Sequence, residues 1–146
     1  MAPATRTDPY LAGHFLVEID GILAAAFSEV SGIEASIEVI EYRTGNQPTV
    51  QKIPGLHKFT NITLKRGMVR DASLWNWIKT VIDGKVQRAN VSIILLDPLN
   101  QPVWRWNLTN AWPCKWTGPV LNANSSEVAI ETLEIAHEGL DLVSAG

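Results

Sequence analysis

At 146 residues the chain has the length of one domain, expected to span 1–146 and to bury about two thirds of its unfolded surface without disulfides or metals to hold it. A hydrophobic fraction of 46% with 18% charged residues excludes a disordered chain, and the net charge of -3 argues against a dedicated nucleic-acid binder. Cys114 is the single cysteine, so no internal disulfide can form, which suits folding in a reducing cytoplasm.

Residues 1–13 carry Pro3 and Pro9 with no sustained periodicity and read as an N-terminal arm. They lack the apolar core of a signal peptide. The longest apolar run, Ile22 to Phe27, falls far short of the roughly 20 residues that cross a bilayer, so no membrane insertion is expected. Phe15, Val17 and Ile19 alternate with His14, Leu16 and Glu18 as in a strand, and Asp20-Gly21 supplies a two-residue hairpin turn. The return strand is expected from Ile22 towards Val30, with Gly32 breaking it before a further arm over 33–43. In that arm Ala35, Ile37 and Val39 keep one phase while Ile40 and Tyr42 leave it, the sign of a bulge.

The stretch 44–58 reads as an extended loop, too long for a tight turn, basic, and punctuated by Pro54 and Gly55. A loop of about 12 to 15 residues without structure of its own needs something to order it. From Thr60 the alternation is clean: Thr60, Ile62, Leu64 and Arg66 share one strand face, and Asn61, Thr63 and Lys65 the other. After Gly67 the period becomes helical. Asp71 is placed to cap, Leu74, Trp77, Ile78 and Val81 share a face, and Gly84 supplies the stop; Trp75 and Trp77 read as core anchors.

A strand from Val86 to Leu96 ends apolar on both faces, so it is either central or covered by another subunit. Beyond a turn over 97–102, Trp104, Trp106 and Leu108 alternate, and Trp112, Cys114 and Trp116 repeat the pattern; Pro113 there requires an edge or a bulge. Val128 to His137 fits neither a strand nor a helix register, but its β-branched content favours a strand. The sum is a mainly β fold, an antiparallel barrel or sandwich with one packed α-helix.

The charges are segregated. Arg43, Lys52, Lys58, Lys65, Arg66 and Arg70 make up half of the 12 Lys and Arg, and no acid lies among them. Thr7 to Tyr42 and Thr117 to Gly146 hold acids and no Lys or Arg. Solvated strand faces could produce such blocks. So could a head-to-tail contact in which the basic stretch of one copy meets the acidic surface of the next, closing a ring or propagating a filament.

The run YRTGNQPTVQKIPGLHKFTNITLKRG, with Lys52, Pro54, Gly55, Lys58, Ile62, Leu64, Lys65, Arg66 and Gly67 in order, resembles the signature loop and strand of the tail tube proteins of contractile phages and related injection systems. The closing segment WPCKWTGPVLNANSSEVAIETLEIAHEGL is similar to that family's own. The resemblance implies a hexameric ring lined by a continuous β barrel, and rings stacked into a hollow tube inside a contractile sheath. It implies partners in further copies of the chain, the sheath protein, baseplate or spike and tail-terminator proteins, and cargo, protein effectors or DNA, in the lumen. It also implies assembly in the bacterial cytoplasm into a virion tail or a phage-tail-like particle. Inter-subunit contact is then expected of Arg43, Gln51, Lys52, Pro54, Gly55, Lys58, Lys65 and Arg66, opposed by Glu131 and Glu134.

No catalytic, metal or cofactor motif competes with this reading. His14, His57 and His137 are far apart, no Cys-x-x-Cys or Gly-x-Ser-x-Gly occurs, and Cys114 among tryptophans reads as a buried structural thiol. The alternative from another class is a glycan-binding β-sandwich with exposed strips of Trp104 and Trp106, and of Trp112 and Trp116.

Overall fold

The computed structural model describes residues 8–20 and 22–144. Among them lie strands β1 (Phe15–Ile19), β2 (Ile22–Ala25), β3 (Glu29–Ser31), β4 (Ala35–Tyr42), β5 (Gln51–Phe59) and β6 (Ile62–Gly67). Helix α1 (Ser73–Ile82) follows, then β7 (Ala89–Leu96), β8 (Pro102–Thr117), β9 (Ile130–Ala136) and β10 (Gly139–Ser144). Eight strands pair antiparallel in the order β2-β1-β7-β8-β9-β6-β3, with β10 added on β8; β4 and β5 pair only with each other.

Strand β8 folds this array over. It runs for 16 residues, its first half between β7 and β10 and its second half against β9. Between the halves Asn110 adopts φ 49°, a left-handed conformation that Asn tolerates better than most residues, and its side-chain amide donates to Glu138 at 2.8 Å. The strand thus passes from one layer to the other. Val17, Ile19, Val91, Ile93 and Leu108 from the first layer meet Ile62, Leu64, Leu133 and Ile135 from the second in one core. The architecture is the expected mainly β sandwich, with β2 and β3 at its ends rather than joined into a closed barrel.

As the apolar run predicts, β7 is central, lying between β1 and β8. The expected return strand after Ile22 divides: β2 pairs with β1, and β3 pairs with β6 in the other layer. Ile19 faces Ile22 across the turn, while Gly21 itself, like residues 1–7 of the expected N-terminal arm, lies outside the described residues. Pro113 sits opposite Ile135 beside a register shift, the bulge its missing N–H demands.

Helix α1 begins one residue later than expected. Ala72 occupies the cap position, yet Asp71 accepts the Ser73 backbone N–H at 3.0 Å and the Ser73 hydroxyl at 3.1 Å. Leu74 and Trp77 enter the core, and the Trp77 indole donates to the Gln87 carbonyl at 2.7 Å. Trp75 is not a core anchor. Residues two apart do not share a helix face, so Trp75 stands at the surface with its ring edge-on to Trp116, centroids 5.1 Å apart. Strand β9 settles the ambiguous segment: Glu131, Leu133 and Ile135 point inward.

Candidate assembly surface

Strands β3 and β6 and strands β4 and β5 are two stretches of one long hairpin. Ser31 pairs with Thr63, and four residues on from Ser31 and four back from Thr63 give the next ladder pair, Ala35 with Phe59. No residue is inserted on either side of the junction. Gly32 breaks the strand there at φ 91°, and a Cβ at that position would lie 2.2 Å from the Asn61 carbonyl oxygen. The Thr60 hydroxyl donates to the Gly32 carbonyl at 2.8 Å, and His137 places its Nε2 3.0 Å from the Thr60 carbonyl, fastening the junction to the body.

Beyond the junction the hairpin leaves the body, and every residue of β4 is exposed. What reads in sequence as an extended loop over 44–58 is therefore mostly strand: Gln51–Phe59 forms β5, and the connection shrinks to 43–50. Pro54 and Gly55 hid the strand. They lie at a bulge where Ile37 pairs with His57 but Val39 pairs with Pro54, so the extra residue is on β5 and the irregular phase on β4 has its partner there. Gly55 fits this close crossing because a Cβ would come within 3.0 Å of Ile40 Cδ1 and 3.2 Å of the Glu38 carbonyl.

Both faces of the hairpin carry large apolar side chains. Ile37 is 60% exposed and Leu56 78%, and Val39, Ile40, Tyr42, Val50 and Ile53 are exposed as well. A two-stranded ribbon is marginal alone, and this many exposed large apolar side chains on one make it a candidate interaction surface.

The expected contact residues divide into two groups. Arg43, Gln51, Lys52, Pro54 and Lys58 are exposed on the hairpin and Gly55 is half-buried; the Arg43 Nε donates to the Gln47 carbonyl at 3.2 Å. Lys65 is half-buried on the body and pairs with Glu29 at 3.1 Å, and Glu134 accepts from the Asn61 amide at 3.4 Å. Arg66 and Glu131 lie elsewhere, each only 3% exposed. The Arg66 Nε meets Glu131 Oε1 at 2.6 Å, and its other nitrogens reach the Asp71 carboxylate at 3.2 Å and carbonyl at 2.8 Å. A guanidinium committed in this way braces β6 to β9 and to the start of α1, inside the fold rather than on a contact surface.

The charge blocks also meet within the chain. Glu41 stands opposite Lys52 in the β4–β5 ladder, Glu29 opposite Lys65, and Glu131 opposite Arg66. Segregation along the sequence becomes pairing across strands, so electrostatics alone does not single out a neighbouring copy. What sets the hairpin apart is its exposed apolar side chains, whose signal in the sequence was the out-of-phase Ile40 and Tyr42.

Among the described residues no group of three or more His, Cys, Asp and Glu could hold a metal, and no helix is long and apolar enough to cross a membrane. Cys114, expected to be buried, is exposed; partial burial and the nearby Glu134 carboxylate push its thiol up to about 11. The tryptophans form no strip. Trp77 is in the core, Trp106, Trp112 and Trp116 are half-buried, and Trp104 and Trp75 are exposed on separate elements.

Several solved structures match nearly the whole chain. A chain of the anti-feeding prophage baseplate, 6-fold symmetrised, is 28% identical at a TM-score of 0.88, over 96% of this chain and 99% of that one. A chain of the sheath-tube complex of the PVC extracellular contractile injection system in its extended state is also 28% identical, TM-score 0.86, over 93% and 92%. A chain of the anti-feeding prophage tube-terminating cap is 25% identical, TM-score 0.90, over 99% and 97%. Hcp1 from Flavobacterium johnsoniae, at 14% identity and TM-score 0.57, shares the fold. No curated protein matches the chain in sequence. The model of the T4-like virus tail tube protein gp19 family matches residues 11–141, nearly the full length, and the chain belongs to that family of structural, non-enzymatic tail tube proteins.

Proposed function

We propose that copies of this chain join through the β4–β5 hairpin into hexameric rings, that the rings stack into a hollow tube, and that contraction of a surrounding sheath drives the tube into its target while protein effectors or DNA pass down the lumen. The observation that carries this reading is the hairpin: in register with the body sheet, detached from the core, and apolar on both faces. Burying such a surface in a neighbour is worth about 25 cal/mol per Å² of apolar area, and only a partner can supply that burial. The relative in a 6-fold symmetrised baseplate supports the count of six, and the relatives in a sheath-tube complex and a tube-terminating cap support a sheath and a terminator as partners. Assembly in the bacterial cytoplasm, before the particle leaves, fits a chain with one cysteine.

The test is Ile37→Asp combined with Leu56→Asp, examined by electron microscopy for rings and tubes and by denaturant unfolding of the free subunit. The expected result is loss of rings and tubes with an unchanged unfolding midpoint; tubes of wild-type width from the variant overturn the proposal. Charge reversal at Lys52 is less diagnostic, because Glu41 stands opposite it in the same hairpin.

A further inference from the structure

His137 stands half-buried in the turn between β9 and β10, and both of its ring nitrogens lie against backbone oxygens. Nδ1 is 3.1 Å from the Gly139 carbonyl and Nε2 is 3.0 Å from the Thr60 carbonyl. A carbonyl oxygen only accepts, so each contact is a hydrogen bond only when its nitrogen carries a proton. A neutral imidazole has one N–H, and its other nitrogen then sets a lone pair against an oxygen lone pair. The imidazolium has two and satisfies both carbonyls at once. The Phe59 ring lies against the same imidazole with centroids 5.8 Å apart, within the roughly 6 Å at which a cation is attracted to an aromatic ring.

The two carbonyls belong to different parts of the fold. Gly139 opens β10, which pairs with β8 in the body. Thr60 links β5 to β6, and its hydroxyl donates at 2.8 Å to the carbonyl of Gly32, where the chain leaves the body at φ 91°. We infer that His137 is a proton-dependent latch on the root of the β4–β5 hairpin. With both nitrogens protonated it ties Thr60, and through it Gly32, to the β9–β10 turn; after losing a proton it keeps only one of the two carbonyls. Among the titratable groups on the surrounding elements, Glu138 is tied to the Asn110 amide at 2.8 Å, and Glu134 on β9 accepts from Asn61 at 3.4 Å and stands opposite Lys115 on β8. His57 and Lys58 lie on β5, and Asp141 on β10 is opposite Asn107. Among the described residues none of these bonds the imidazole, so the latch closes on the two carbonyls alone. The unfolded chain holds no such pair of carbonyls. The second proton therefore favours the closed junction, which tightens as pH falls through the histidine range of about 5 to 8 and loosens as pH rises through it.

The latch acts within one free subunit and does not rest on the conduit reading. The test is nitrogen NMR of the histidine rings together with amide hydrogen exchange, each at about pH 5.5 and about pH 8.5. His57 also sits on the hairpin, its ring 5.5 Å from Phe59, so the exchange measurement compares His57→Gln with the double variant His57→Gln, His137→Gln. The expected ring spectrum shows His137 with two protonated nitrogens at the lower pH and one at the higher. Exchange of the amides of 59–63, corrected for the intrinsic effect of pH, is expected to be about fivefold slower at the lower pH, the worth of about one hydrogen bond. The double variant should lose that gain, because glutamine can donate to a carbonyl but takes up no proton. A single N–H on His137 at both pH values overturns the latch, and that readout is made on the native chain whether or not the variants fold. Equal protection at both pH values, or the same gain in the double variant, overturns it as well.

Discussion

The body half and the tip half of the long hairpin share one register and one kind of sequence, yet they stand in opposite environments. In β6, Ile62, Leu64 and Arg66 are buried against β9 and the core; past Gly32, β4 is exposed along its whole length. Strand propensity is therefore not what separates the buried half from the exposed one. The separation comes from Gly32 and from the partners available on each side of it. The body half packs against β9 and the core, and the tip half, paired only with itself, leaves its apolar side chains exposed.

That contrast predicts unequal responses to substitution. Arg66→Met in the body half leaves Glu131 buried without its cation, and the free subunit should lose about 3 to 5 kcal/mol in denaturant unfolding. The double substitution Arg66→Met with Glu131→Leu should recover most of that loss, because two apolar side chains need no counter-charge. Val39→Ser in the tip half should shift the same midpoint by no more than about 0.5 kcal/mol. A large loss at Val39, or none at Arg66, would erase the difference between the halves.

The junction can be tested directly. Gly32→Ala places a methyl group 2.2 Å from the Asn61 carbonyl and imposes a side chain on φ 91°, so the β3–β6 ladder must shift. The expected cost is about 2 kcal/mol or more, together with weaker hydrogen-exchange protection in β3 and β6. Unchanged stability would mean that the junction tolerates a different path, and that the tip is not held at a fixed angle to the body.

How far these halves could be read beforehand follows from the same physics. The β6 alternation was legible because Ile62 and Leu64 obey the two-residue period, and the helix because Leu74 and Trp77 obey the helical one. Strand β9 was obscured because its inward series begins with Glu131, an acid that makes sense only once Arg66 is seen opposite. Strand β5 was obscured because Pro54 and Gly55 signal a loop unless a bulge accommodates them. The charge blocks were visible, but their pairing within the chain depends on which strands lie side by side, and sequence order alone does not fix that.

The smallest expected effect concerns Asp71, which joins the body half to the helix. Its carboxylate accepts from the Ser73 backbone N–H, then from the Ser73 hydroxyl, and then from Arg66, and these hold its pKa below the ordinary 3.8. A folded-state pKa depressed below the unfolded one means that the unfolded state takes up the proton first. The contribution of Asp71 is thus fully present above the unfolded value and is lost as pH falls through the lowered native one. Asn at this position keeps an acceptor for the Ser73 N–H but carries no charge, much like the protonated acid. The difference in unfolding free energy between wild type and Asp71→Asn should be constant from neutrality to about pH 5 and shrink below it. Glu131 is present in both proteins, so the difference isolates Asp71. Its persistence at about pH 2 would show that the variant acts through altered packing at the start of α1 and not through the carboxylate charge.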